Sequence, residues 1–348
     1  MALGARRFRT TLLLLAVVLV VVVLVAVAVG AVWISPWTTL RVFAWKLHLT
    51  ARPAGLSRAT EVIVLQLRLP RVVLAVLVGA GLGVSGMVFQ GLFRNPLADP
   101  AVIGVSSGAA LGAIVVIVAG GGAMAAGLLV SGAAFAGALA TAFLVYRLAK
   151  VGPAVQVATL LLAGIAIAAL ISSLMSLVMS FSGEQIRSIY FWLLGGLSAR
   201  GWSSVTVIVP LLLVGIAAAA SLVRDMNLVA LGEERASQLG VEVARFKRRA
   251  IAIGALLAAA AVSVAGVIGF VGLMTPHVLR LIVGADHRRL LPAVLLGGPI
   301  FVVLADVAAR TAIAPEELPL GAMTALIGAP FFLWLLRRER GRAAGVLG

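Results

Sequence analysis

The sequence predicts an all-α polytopic membrane protein of about ten helices with both termini in the cytoplasm, and three observations predict it. First, 62% of the 348 residues are hydrophobic and only 11% are charged, whereas soluble domains carry about 25% charged residues. The same balance excludes a disordered chain, which is poor in apolar residues. Second, the apolar residues fall in runs close to the ~20 residues that cross a bilayer as a helix. Third, the net charge of +16 is held in short basic clusters between those runs. That is the pattern of cytoplasmic loops, not of a continuous basic face for nucleic acid.

The spans read in order as 11–34, 71–91, 101–120, 123–148, 153–181, 203–223, 250–268, 271–284, 291–311 and 319–336, within a single domain covering 1–348. The first follows Arg6, Arg7 and Arg9. Ala26-Val27-Ala28 resembles a cleavage site, but the run exceeds the 7–15 residues of a signal-peptide core and reads as a retained helix. A polar segment from Ser35 to Gln66 separates it from the second span, which must stop before Pro96 and Pro100 because proline cannot continue a helix. Residues 224–249 are the most polar stretch and read as a cytoplasmic loop. The eighth span is short and carries Pro276, as a broken span buried in protein would. This topology puts 19 of the 28 Lys and Arg residues inside and 9 outside.

Several functions are excluded. There is no cysteine, and His48, His277 and His287 lie in unrelated segments, so neither a metal site nor a catalytic set can be assembled. No G-x-x-x-x-G-K-[ST] loop occurs to cradle a nucleotide phosphate. The chain reads as a non-enzyme without a cofactor of its own. The spans also lack the several paired acids of an ion-coupled pump. Among their polar positions are Ser85, Gln90, Ser172, Ser173, Ser176, Ser263, Thr324 and Asp306. Asp306 stands four residues before Arg310, a spacing at which the two can pair. Gly79, Gly81, Gly83 and Gly86 allow close helix approach. Met175 and Met179, one turn apart in the fifth span, suit either core packing or a soft wall for a sliding ligand.

Four segments carry more specific information. Arg68-Leu69-Pro70-Arg71 opens the second span. Gln90-Gly91-Leu92-Phe93-Arg94-Asn95-Pro96-Leu97-Ala98-Asp99-Pro100 closes it and leads to Gly104-Val105-Ser106-Ser107-Gly108-Ala109. The polar loop contains Leu231-Gly232-Glu233-Glu234-Arg235-Ala236-Ser237-Gln238-Leu239-Gly240. The last third holds Gly266-Val267-Ile268-Gly269-Phe270-Val271-Gly272-Leu273, Thr275-Pro276-His277, Asp286-His287-Arg288 and Glu317-Leu318-Pro319-Leu320-Gly321. Over about residues 60–340 the chain resembles the FecCD-type permease family, the membrane subunits of type II ABC importers for iron chelates, haem and vitamin B12.

The resemblance implies ten helices per subunit in the bacterial inner membrane and a pathway between two copies of the chain. It also implies two cytoplasmic ATPase subunits, which hold ATP and magnesium, and a periplasmic binding protein. Residue by residue, Arg68, Arg71 and Arg310 match arginines that receive glutamates of the binding protein. Arginine suits the task because its planar fork binds carboxylates bidentately. Leu231, Gly232, Glu233, Glu234, Arg235, Ala236, Ser237, Gln238, Leu239 and Gly240 match the coupling segment that seats in the ATPase. The two glycines would bracket a short helix with acids in its first turn, where the helix dipole favours them. Asn95 and Leu97 match a cytoplasmic constriction. At its second half, where some members carry hydroxyl residues, this chain has Val157 and Ala158. The forms of 91–100 and of Gly328-Ala329-Pro330-Phe331-Phe332-Leu333-Trp334 are most similar to haem permeases. Ferric-siderophore and vitamin B12 permeases are the alternatives, the latter sharing Trp33-Ile34-Ser35-Pro36. A stand-alone secondary transporter or channel is the alternative of a different class.

Overall fold

The computed structural model describes residues 2–30, 32–53, 55–120, 127–152, 154–198 and 200–343. Among them the α-helices are α1 (Ala2–Ala28), α2 (Pro36–Lys46), α3 (Arg58–Val62), α4 (Leu69–Phe93), α5 (Val105–Ala119), α6 (Leu128–Ala149), α7 (Val157–Ser180), α8 (Ile186–Leu193), α9 (Trp202–Val229), α10 (Glu233–Gln238), α11 (Val243–Ala265), α12 (Val271–Val283), α13 (His287–Thr311) and α14 (Leu320–Ala343). Among the described residues, seven helices are long and apolar enough to cross a bilayer, and three shorter apolar ones, Val105–Ala119, Val271–Val283 and Leu320–Leu335, join them. The all-α architecture of about ten apolar helices is therefore present.

The boundaries differ from the expected ones in instructive places. The expected loop 224–249 is mostly helical, since α9 runs on to Val229 and α11 starts at Val243, leaving the short α10 between them. The polar segment after the first span contains α2, which starts at Pro36 behind Ser35; proline is well placed there because the first helical N–H has no partner anyway. An additional short helix, α8, lies between the expected fifth and sixth spans. The expected starts Ala123 and Pro153 belong to 121–126 and 153, outside the described residues.

α4 is the axis of the bundle and packs against α9, α11, α12 and α13. In the most apolar window of Arg58–Phe93, 83% of residues are buried, against 17% for α1 and for α7. Small residues make the centre possible. A methyl group on Gly79 would run into the carbonyl of Gly298, one on Gly298 into that of Gly79, and one on Gly86 into Gly272. Without a hydrophobic driving force between helices in lipid, such backbone approach is what holds them together. The peripheral helices instead expose leucine and isoleucine, among them Leu162, Ile165, Leu170, Leu174 and Leu177 on α7.

One turn in the Arg58–Phe93 rod is widened. Pro70 has no N–H, and just before it the backbone of Ile63–Arg68 forms a π turn in which the Leu69 N–H donates to Val64 O, five residues back. Leu65 O is thereby released and accepts Trp202 Nε1–H at 3.0 Å. Such π turns recur at functional sites, and this one carries Arg68.

Candidate functional site

At one end of the bundle lie Arg68, Arg71 and Arg310, and the structure gives them different tasks. α1 stops at Ala28, leaving its last carbonyls without intrahelical partners. Arg68 Nη1 donates to Val27 O at 3.0 Å and Ala28 O at 2.6 Å, and Nη2 donates to Val32 O. Arg310 donates from Nη1 to Val29 O and from Nη2 to Ala26 O, both at 3.0 Å. Two guanidiniums thus cap one helix C-terminus, where the macrodipole favours cations. Arg68 is 7% exposed and Arg310 5%. Of the three arginines matched to docking positions, Arg68 and Arg310 thus face inward.

Asp306, fully buried, is the shared counter-ion of Arg71 and Arg310. Its Oδ1 lies 2.9 Å from Arg71 Nη2 and its Oδ2 3.0 Å from Arg310 Nε, so the expected pairing of Asp306 with Arg310 is present and Arg71 shares it. Arg71 Nη1 donates to both oxygens of Glu317 at 2.9 Å, and Ser198 Oγ donates to the same carboxylate. Burial pushes the Glu317 carboxyl up, but the Ser198 hydroxyl and the Arg71 charge outweigh it and hold it below its ordinary range. Arg71 and Glu317 are also on the wall of a cavity of about 550 Å³, with Ser188, Trp192 and Arg200. Burial lowers the Arg200 guanidinium, which still keeps its charge, as arginine does in proteins. Main-chain bonds close the base of the cavity: Gly196 N–H to Ala265 O at 2.8 Å, and Leu320 N–H to Gly195 O at 3.0 Å.

The opposite end carries the other sequence candidates. α4 ends at Arg94, which adopts a left-handed conformation with φ of 49°. The chain then turns through Asn95, whose Oδ1 accepts the Leu97 N–H at 2.9 Å. Asp99 caps the following short turn by accepting the Ala101 N–H at 2.8 Å, and burial raises its carboxyl although that bond lowers it. Asn95 and Ala158 are exposed, and Leu97 and Val157 half-buried.

The helix bracketed by Gly232 and Gly240 is present as α10, with both glycines in left-handed geometry at φ 112° and 87°. Ala236 is its buried anchor, while Leu231 and Leu239 are exposed at 56% and 54%. Glu234, Arg235, Ser237 and Gln238 are exposed beside them. Glu233 turns inward: its Oε2 lies 2.7 Å from Lys247 Nζ and its Oε1 3.9 Å from Arg94 Nη2.

Sequence reasoning missed two further links. Asn227 Nδ2 donates to Asp286 Oδ1 at 2.6 Å, and its Oδ1 accepts the His287 N–H at 2.9 Å. Burial pushes Asp286 up, but the Arg288 N–H, Asn227 and the charges of Arg288 and Arg289 bring it below its ordinary range. Gln90 donates to Leu273 O at 3.0 Å and accepts from Arg280 Nη1 at 2.8 Å, satisfying two polar groups inside the apolar bundle. Met175 and Met179 pack partly against the core. No group of three or more metal-ligating side chains occurs among the described residues.

The model of the FecCD transport family matches residues 18–338. The chain is 47% identical over 309 residues to the cobalamin import system permease protein BtuC of Halobacterium salinarum, covering 88% of this chain and 81% of that protein. It is 45% identical over 288 residues to the hemin transport system permease protein HmuU of Yersinia pestis, covering 81% and 85%. A solved metal-chelate-type ABC transporter in an inward-facing conformation superposes with a TM-score of 0.81 at 31% identity, covering 95% of this chain and 99% of that one.

Proposed function

Because this chain belongs to the FecCD transport family, we propose that it is the membrane pathway through which a metal tetrapyrrole, haem or cobalamin, enters the cytoplasm. It is a multi-pass permease subunit of a type II ABC importer for cobalamin, haem or iron chelates. The observation that carries the narrower reading is that relatives at 47% and 45% identity are named for cobalamin and hemin.

The ends of the bundle divide the work. The α10 end carries most of the loop cations and faces the cytoplasm by the positive-inside rule. There Leu231–Gly240 seats a separate ATPase subunit, with exposed Leu231 and Leu239 as its apolar contacts, and Asn95, Leu97, Val157 and Ala158 line the exit. The opposite end faces the periplasm and receives the binding protein. Arg71, at 12% side-chain exposure, reaches the cavity there, while Arg68 and Arg310 hold the outer end of α1 in place for docking. The exposed apolar face of α7 packs on a second copy of the chain. Met175 and Met179, partly packed in the core, contribute at most an edge to the pathway.

Ligand choice is tested by uptake into vesicles holding the permease with its cognate ATPase and binding protein. Haem, cyanocobalamin and ferric dicitrate are offered in parallel. One of the two tetrapyrroles accumulates and ferric dicitrate does not; accumulation of ferric dicitrate alone would overturn the reading.

A further inference from the structure

Glu233, the first residue of α10, stands where three segments meet. Its Oε2 pairs with Lys247 Nζ of α11 at 2.7 Å. The same ammonium donates to Val155 O at 3.4 Å, two residues before α7 begins at Val157. The other carboxylate oxygen lies 3.9 Å from Arg94 Nη2, at the first residue of the turn that holds Asn95 and Leu97. Lys247 is 9% exposed. A buried ammonium is costly unless paired, so Lys247 cannot easily leave both partners. α10 packs chiefly on α9 and α11. The Glu233 carboxylate gives it a side-chain route to the turn after α4, and through Lys247 to the start of α7.

We propose that Glu233 and Lys247 are positioning residues that transmit a displacement of α10 to both halves of the exit, Arg94–Leu97 and Val155–Ala158. The proposal rests on the reading that α10 seats the ATPase. A rigid helix pushed sideways carries its carboxylate with it. The paired ammonium either follows, pulling on the Val155 carbonyl, or is stranded without a counter-charge. Coupling between distant sites needs such a discrete contact that both sites bias. An exposed pair on the same end, Arg245 with Glu242 at 3.2 Å, spans only one turn of α11 and can transmit nothing.

The chain has no cysteine, so Ala158→Cys introduces a single thiol at an exposed position of the exit. Its labelling by a membrane-impermeant maleimide is followed in inside-out vesicles holding the permease and its ATPase, with and without ATP. In the Ala158→Cys chain ATP changes the labelling rate about fivefold or more, the low end of allosteric coupling. Adding Glu233→Gln or Lys247→Met brings that ratio toward unity while the ATPase still co-purifies. Lys247→Arg, which keeps the charge and the donors, preserves most of it, and Glu242→Gln leaves it unchanged. If Glu233→Gln and Lys247→Met assemble and keep the full ratio, the proposal is overturned. If Ala158→Cys shows no response to ATP in the unaltered background, the reading of the exit and of α10 fails, and this inference with it.

Discussion

The two ends of the bundle use charge in opposite ways. At the outer end Asp306 is fully buried between Arg71 and Arg310, and Arg68 and Arg310 also donate to carbonyls at the end of α1. At the inner end Glu233 is 36% exposed at its side chain and touches two cations of two different segments. A buried ion-pair network costs several kcal/mol to open because a lone charge is left behind. A partly exposed carboxylate can exchange its looser partner, Arg94, at little cost, since water takes over what that partner releases, while the buried Lys247 moves with it. The outer network is built to stay, and the inner one to be moved.

The largest effect that would break this contrast is at Asp306. Asp306→Ala leaves the buried Arg310 without its paired carboxylate and Arg71 with Glu317 alone, and removing one partner of a buried pair costs about 3–5 kcal/mol. Chemical unfolding in detergent should show a loss of that size. A loss under about 1 kcal/mol, the range of exposed pairs, would mean that the outer end is hydrated and no more rigid than the inner one.

Next come the caps of α1. Arg310→Met removes two bonds from a charged donor to carbonyls, each worth about 1.5–3 kcal/mol at most. The outer end of α1 should fray, seen as faster proteolysis near Ala28 or faster amide exchange there. Gly30→Val probes the same contact from the other side, because a Cβ at Gly30 would stand 2.6 Å from Arg68 Nη2. Both variants should lose α1 protection without changing ATP hydrolysis by the assembled transporter.

Glu233→Gln inverts the pattern. Stability should fall by about 1–3 kcal/mol, less than at Asp306, because Gln keeps an acceptor for the buried Lys247 but not its counter-charge. Uptake should nonetheless fall several-fold, read as ligand imported per ATP hydrolysed. A large stability loss with an unchanged coupling ratio would make Glu233 a mere staple.

The smallest effect concerns pH. The Glu317 carboxyl is held below its ordinary range. A depressed folded value gives stabilisation that is complete above the unfolded value and is lost as pH falls through the folded one. Unfolding of the unaltered chain and of Glu317→Gln should differ by a constant amount from about pH 8 to 5 and converge only below about pH 4, under the ordinary carboxylate range. Convergence already near pH 6 would show that Glu317 is not paired with Arg71.

Much of this was legible in the sequence. Apolar runs gave the ten helices, Pro96 and Pro100 the break after α4, Gly232 and Gly240 the limits of α10, and the spacing of Asp306 and Arg310 their pairing. The direction of Arg68 was not legible, because a π turn shifts the helical phase and period-based reading assumes a constant one. Pro70 was its signal: a proline within a helical rod takes away an N–H and invites a widened turn just before it. Lys247 was hidden for another reason. It sits among Arg245, Arg248 and Arg249 and looks like one more solvated cation. Only its helical phase marks it, since Ala250, Ile251 and Gly254, three, four and seven residues on, are all buried and share its face.

The central claim, that a separate ATPase drives this chain through α10, is tested most directly by its energy source. Proteoliposomes holding the permease and its ATPase, with loaded binding protein outside, are supplied with ATP inside or with an ion gradient alone. Accumulation of the ligand should require internal ATP and stop when Leu231–Gly240 is replaced by a flexible linker. Accumulation driven by the gradient without the ATPase would contradict the account.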